Sequence, residues 1–491
     1  MSAATVVIGT GVNELVAAHY LARAGQQVVV LEQNTADWAT ALDTGWIPPR
    51  ILGDLALDSH GGPRTSLQVY RPDPWVAAVL PDGGRLELWN DPVRSAEAIR
   101  RLSARDAKRW PDFCERMARL ARVLERLYTA PPPDLMTRDV GELARIAGTA
   151  FGVRRLGRQG MEDLMRLLPM PIADLLDDWF ECDALKGVLG AAGIMHLCQG
   201  PRSGGTAFRL LHHHAGNMPG VFRPPLSNLS RVLEARPGIT LRRGASVGRI
   251  SVREGHVTGV VLTDGEEIVT RLVVCGADPR RTLLEWVDTG SLTPEFTRAV
   301  RHIRSRGVVA RVVLELQGAP GFTTLVVAPS LDHLERAYDD AKYGRFSQHP
   351  YLEARATETA DSGCRVEVDV QYAPYTLRDG DWDEARRSAL AQRVVEMLSE
   401  AIPGFDARVS ARRVAAPPDL EARCGFPEGQ AHHAELALDQ SFWMRPLPGW
   451  ASYRTPVAGL YLCGPGTHPG GAIAGAAGAN AARVVLRDRP H

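Results

Sequence analysis

The stretch ATVVIGTGVNELVAAHYLARAGQQVVVLE, residues 4–32, constrains the fold more than any other in the 491-residue chain. A short apolar run ends in Gly9-Thr10-Gly11, the pattern of a buried parallel strand entering a tight turn. Leu15, Ala18, Leu21 and Ala22 then recur at helical spacing up to Gly25, which suits a helix C-terminus. A second apolar run, QQVVVLE, follows. Strand, glycine turn, helix and strand within about 30 residues make a βαβ unit of the dinucleotide-binding kind.

In such a unit the first glycine permits the turn, the second admits a diphosphate, and the third lets helix and strand pack closely. Gly9 and Gly11 fill the first two places, and Glu14 stands in the third. Glu32 closes the second strand about 20 residues on, where an acid accepts hydrogen bonds from a ribose. At the other end of the chain, GLYLCGPGTHPGGAIAGAAGANAARVVL (459–486) reads as a strand, a glycine-rich turn and an alanine-rich helix. Glycines 464, 466, 470, 471, 475 and 478 leave backbone amides bare at a helix entrance, which suits an anion or a polar ring edge. The same glycines also suit a helix packed tightly on a sheet. His468, in this turn, is the one candidate for moving protons near a redox ring, or else a hydrogen-bonded loop histidine.

Between these ends the chain alternates. Phe113, Met117, Leu120, Leu124 and Leu127 mark one face of a long amphipathic helical region over 93–128, with arginines on the other face. APPPD (130–134) reads as a rigid spacer. Residues 238–278 read as alternating strands with turns. The triple histidine His212, His213, His214 has no carboxylate or cysteine at ligand spacing, so a helix end is the expectation and no metal site. Lysine plus arginine equal aspartate plus glutamate at 57 each, which gives no footing for nucleic acid. Seven dispersed cysteines without a C-x-x-C pair fit a reducing compartment. With no leader before the first strand and no apolar run of spanning length, a cytoplasmic protein without a transmembrane segment is expected.

The stretches 9–32, DLLDDWFECDALKGVLGAAGI, GPRSGGTAFRLLHHHAG, GASVGRI and the C-terminal block together resemble the phytoene desaturase and carotenoid oxidoreductase branch of the FAD-dependent amine-oxidase-like superfamily, in its phytoene dehydrogenase-related subgroup. The resemblance implies an α/β fold, a discontinuous Rossmann-like FAD domain (1–60, 218–290 and 440–491) with an inserted mixed α+β substrate or cap domain (61–217 and 291–439). It places Gly9, Gly11 and Glu32 at the ADP part of FAD, Val247 at the adenine end, and Gly464, Gly466, Gly470 and Gly471 by the flavin. It implies hydride transfer from a largely apolar small molecule to the flavin, a role compatible with peripheral membrane contact, and names no catalytic side chain. The alternative is a cofactor-free homologue serving as a binding or partner subunit in a homo- or hetero-oligomer with a related flavoprotein. NAD in the same cleft is a third option.

Three departures from the branch bear on the cofactor. A charged Glu14 at about 5 Å from a diphosphate would cost on the order of 3 kcal/mol at an effective dielectric of about 20; it could also take the anion's place or swing to solvent. After Glu32 no Gly-Gly pair follows in LEQNTADWATALDTGWIPP. Pro219, Pro224 and Pro225 stand where the branch has a glycine-rich turn, removing amide donors.

Overall fold

The computed structural model describes residues 4–33, 42–57, 66–133, 138, 140–358 and 363–488. The expected βαβ unit is present: strand β1 (Thr5–Ile8), helix α1 (Val12–Arg23) and strand β2 (Val28–Glu32). β1 and β2 pair in parallel, Thr5 opposite Val28 and Ile8 opposite Leu31. Three later strands complete a five-stranded parallel sheet: Thr240–Arg243 beyond β2, then Val273–Cys275 and Leu460–Leu462 on the other side of β1. Val6, Val7 and Val30 are fully buried, as strands covered on both faces require.

One cover is α1, through Leu15, Ala17, Ala18 and Leu21; another is the C-terminal helix Ala476–Asp488, whose Ala477, Ala481 and Val485 share the same core. The two helices approach so closely that a Cβ on Gly478 would lie 1.7 Å from the Asn13 carbonyl oxygen, so only glycine fits there. A three-stranded antiparallel sheet (Val247–Arg253, His256–Leu262, Glu267–Val269) accounts for the alternating segment.

The second layer is a seven-stranded sheet in the order Val409–Ala415, Val309–Gln317, Gly363–Gln371, Tyr351–Glu358, Thr324–Val327, Val76–Val79, Arg85–Leu88. Its strands alternate: Ala310, Val312, Leu314, Val366, Val368 and Val370 point one way, into a core with helix Glu384–Ala401. Period-2 patterning therefore sends Arg311, Asp369 and Glu353 to the opposite face. The amphipathic region is two helices, Pro92–Arg100 and Ala104–Tyr128, and Phe113, Met117, Leu120 and Leu124 are buried as the spacing predicts. A small four-stranded sheet (Ala472–Ile473, Asp43–Trp46, Leu226–Ser227, Val69–Tyr70) ties the C-terminal block to the middle of the chain. Among the described residues no helix is long and apolar enough to cross a membrane.

Candidate functional site

A cavity of about 710 Å³ runs from the turn between β1 and α1 to the charged face of the seven-stranded sheet. At one end it is lined by Thr10, Gly11, Val12, Asn13 and Glu32, and along its middle by Gly470, Gly471 and Ala472. The βαβ turn and the C-terminal glycines, some 460 residues apart in sequence, are thus brought to one space.

Gly9 has φ +105°, a conformation that L side chains rarely adopt, and this lets the strand turn sharply into the helix. No side chain caps α1, so the positive end of its dipole opens onto the cavity through Gly11, Val12 and Asn13. Thr10 organises Glu32: its backbone N–H and its hydroxyl both donate to Glu32 Oε2, at 2.9 and 2.5 Å. Sequence reasoning passed over Thr10, although a hydroxyl between the two glycines faces the second strand's terminal acid.

Glu14 neither points at the cavity nor swings to solvent. It is 4% exposed and lies behind the turn, where three glycines receive its side chain. A Cβ on Gly276 would sit 1.9 Å from Glu14 Oε1, one on Gly11 2.4 Å from Oε2, and one on Gly9 3.2 Å from Cγ. The space that a third glycine would leave to close helix–strand packing is supplied instead by Gly276, which follows the strand Val273–Cys275. Burial, with a smaller push from the Glu32 charge, raises the Glu14 carboxyl from 4.5 to about 8, against its own backbone amide, which lowers it. At neutral pH the group is mostly protonated, and a neutral carboxyl does not repel a diphosphate.

Of the other candidates, Gly470 and Gly471 line the cavity, whereas Val247, Gly464, Gly466 and His468 do not. Val247 is buried in the core under the three-stranded sheet. Gly464 packs on the Gly276 carbonyl, where a Cβ would come within 2.0 Å, and Gly466 packs on Pro279. His468 faces a separate cavity of about 260 Å³ beside Leu127, Pro131 and Trp443, and its Nε2 is 3.0 Å from the Leu127 carbonyl. Burial lowers its pKa to about 4, so the ring is neutral.

The histidine triplet is structural wiring. His212 links the Tyr128 hydroxyl at 2.7 Å to the Gly471 carbonyl at 2.7 Å, His213 meets the Ala192 carbonyl at 2.8 Å, and His214 meets that of Val221 at 2.6 Å. No group of three or more metal-binding side chains occurs among the described residues. Arg445, fully buried, donates to the carbonyls of His432, Ala434, Glu435, Gln440, Pro465 and Thr467 and so staples the glycine-rich turn to the preceding loop. On the cavity side the His432 ring rests on Gly471: a Cβ there would lie 1.9 Å from Nδ1.

Pro224 and Pro225 belong to the cavity wall, and the Pro225 carbonyl accepts from the Gly45 N–H at 2.9 Å. The connection after Glu32 lies largely outside the described residues, which omit 34–41.

For FAD, which the fold implies, the residues present fit: an uncapped helix end beside a glycine turn, an acid already oriented at the end of β2, bare backbone at Gly470 and Gly471, and a protonated Glu14.

The model of the family described as flavin containing amine oxidoreductase matches residues 62–486. Pyridine nucleotide-disulfide oxidoreductase domain-containing protein 2 of Rattus norvegicus is 31% identical over 98% of this chain and 93% of its own. A limonene dehydrogenase component from Castellaniella defragrans is 25% identical over 98% and 94%, and a neurosporene-forming phytoene desaturase of Cereibacter sphaeroides 24% identical over 99% and 94%. Among solved structures, an oxidoreductase from Methanosarcina mazei superposes with a TM-score of 0.60 at 15% identity, covering 98% of this chain and 99% of its own. A putrescine oxidase redesigned in its cofactor binding gives 0.61 at 13% identity, covering 99% and 98%.

Proposed function

Because the chain belongs to the flavin-containing amine oxidoreductase family and is an FAD-dependent oxidoreductase, we propose that it dehydrogenates a small organic molecule held between the glycine-rich C-terminal turn and the seven-stranded sheet. The observation that carries this reading is the single cavity joining the βαβ turn to Gly470 and Gly471. Bound FAD supplies the hydride acceptor.

In this reading Gly11, Val12 and Asn13 meet the diphosphate through the helix end, Glu32, held by Thr10, receives the ribose, and Gly470 and Gly471 flank the ring. Glu14 contributes by staying protonated behind the turn. The residues of the chamber orient substrate and exclude water, and the His213 ring is tied to the Ala192 carbonyl. Trp75, Val221, Phe222, Leu226 and Ile473 give the chamber apolar walls, which supports an apolar reacting portion in the substrate.

Segments 1–60, 218–290 and 440–491 are proposed as the cofactor domain, supported by their strands sharing the parallel sheet, with 61–217 and 291–439 as the substrate domain. The seven free cysteines support a cytoplasmic, reducing setting. The name of the limonene dehydrogenase relative, one subunit of its enzyme, supports a companion chain here, which sedimentation of the purified protein with and without a related flavoprotein would reveal. The deciding experiment for the oxidoreductase is an absorbance spectrum after incubation with excess FAD. Bound flavin absorbs between roughly 350 and 500 nm, and a protein that emerges colourless refutes the proposal.

A further inference from the structure

The chamber's far wall is charged. Arg311 stands across from Asp369, and Asp369 across from Glu353, on adjacent strands of the seven-stranded sheet. Arg311 Nε donates to one Asp369 oxygen at 2.9 Å, and Arg355 to the other at 2.5 Å. Arg223, from the proline-rich wall, pairs with Glu353, which also accepts from the Tyr351 hydroxyl at 2.8 Å. All five charged side chains line the cavity, whereas Glu367, next along the same face, does not.

Counting Arg423, which also lines the cavity, and Glu367, which faces Arg355 and acts on Arg311, four guanidiniums here meet three carboxylates, an excess of one positive charge. Burial pushes Asp369 and Glu353 up, but the facing arginines outweigh it and hold both below the ordinary carboxylate range, so both stay ionised. Burial also keeps His196, His213 and His432, on the adjoining wall, well below the ordinary imidazole value; they are neutral and leave the excess unchanged.

The donors are not all used. Nε of Arg223 and Nε of Arg355 are buried and have no hydrogen-bond acceptor among the described residues, and Arg223 is only 8% exposed. A buried donor without an acceptor costs about 1–3 kcal/mol. Guanidinium forks match carboxylate geometry. A hydrocarbon would leave the surplus charge desolvated and uncompensated, and an ammonium would meet a like charge.

We propose that this wall binds a carboxylate of the substrate, so that the compound dehydrogenated is an organic acid whose apolar chain extends toward Gly470 and Gly471. This rests on reading the cavity as the substrate chamber of the proposed oxidoreductase. Arg355 is the principal specificity residue, because Asp369 keeps Arg311 as a partner when Arg355 is replaced.

The test is a binding titration of FAD-loaded full-length protein with octanoate, 1-octanol and octylammonium, which share one chain and differ in head group. Tryptophan fluorescence reads it, since Trp75 lines the cavity. Octanoate is expected to bind at least about ten-fold more tightly than either alternative, the equivalent of about 1.4 kcal/mol. In Arg355→Met the preference over 1-octanol should fall to within about three-fold, and Arg355→Lys should retain part of it. Equal binding of the three probes, or a preference undiminished in Arg355→Met, overturns the acid site. Should the protein take up no FAD, the oxidoreductase reading falls by itself. The same titration on the flavin-free chain, with Arg355→Met as control, then decides the acid site by the same two results.

Discussion

Replacing Glu14 with glutamine keeps the shape of the side chain in its glycine cradle and removes one ionisation. In the unfolded chain the carboxyl titrates near 4.5; in the fold, buried against Gly276 and Gly11, it titrates near 8. Below 4.5 both states are protonated and the group does not affect stability. Between 4.5 and about 8 the unfolded chain loses its proton while the folded chain keeps it, so stability falls as pH rises; above about 8 the loss is constant. At about 1.36 kcal/mol per pH unit, the loss amounts to on the order of 3 kcal/mol at pH 7 and about 5 kcal/mol in full. Glutamine cannot ionise. Glu14→Gln should therefore match the wild type near pH 4 and exceed it by about 3 kcal/mol at neutral pH. Urea denaturation of the flavin-free proteins at half-unit steps between about pH 4 and 9 measures this. A difference that stays constant across the range would refute the buried, protonated carboxyl. FAD titrations provide a second reading: wild-type affinity should drop above about pH 8, where Glu14 ionises near the helix end, while Glu14→Gln stays level.

Thr10→Val removes the hydroxyl that holds Glu32, and FAD affinity should weaken by about ten-fold, read from flavin fluorescence. An unchanged affinity would detach Glu32 from the cofactor. Gly471→Ala drives a methyl into the His432 ring and should destabilise the fold by about 1–3 kcal/mol. Adding His432→Ala should recover most of that loss. Arg445→Met strips six carbonyls of their common donor and should cost about 3 kcal/mol or more by urea denaturation. A cost below about 1 kcal/mol would show that water replaces the guanidinium.

By itself the sequence determined the βαβ unit and the helical faces of the middle region. These follow from short-range periodicity and glycine placement, which act within one or two elements. It also marked glycine-rich turns at both ends of the chain, each by its own backbone signature, and the fold brings Gly11, Gly470 and Gly471 to one cavity. Only the tertiary structure decided what became of Glu14, since its outcome depends on Gly276, which follows a strand more than 260 residues away. The same holds for His468, whose ring direction is set by the Leu127 carbonyl, and for Val247, Gly464 and Gly466, which packing leaves out of the cavity lining. The charged wall was half legible. Alternation in VARVVLELQ, YLEARATE and GCRVEVDVQ sets Arg311, Glu353 with Arg355, and Asp369 opposite the apolar face of their own strands, and strand register then aligns them. Ordinarily a charged face of that kind meets solvent. Here strand order and the proline-rich wall with Arg223 close it into the chamber, and burial turns a common surface pattern into a site with charge to spare.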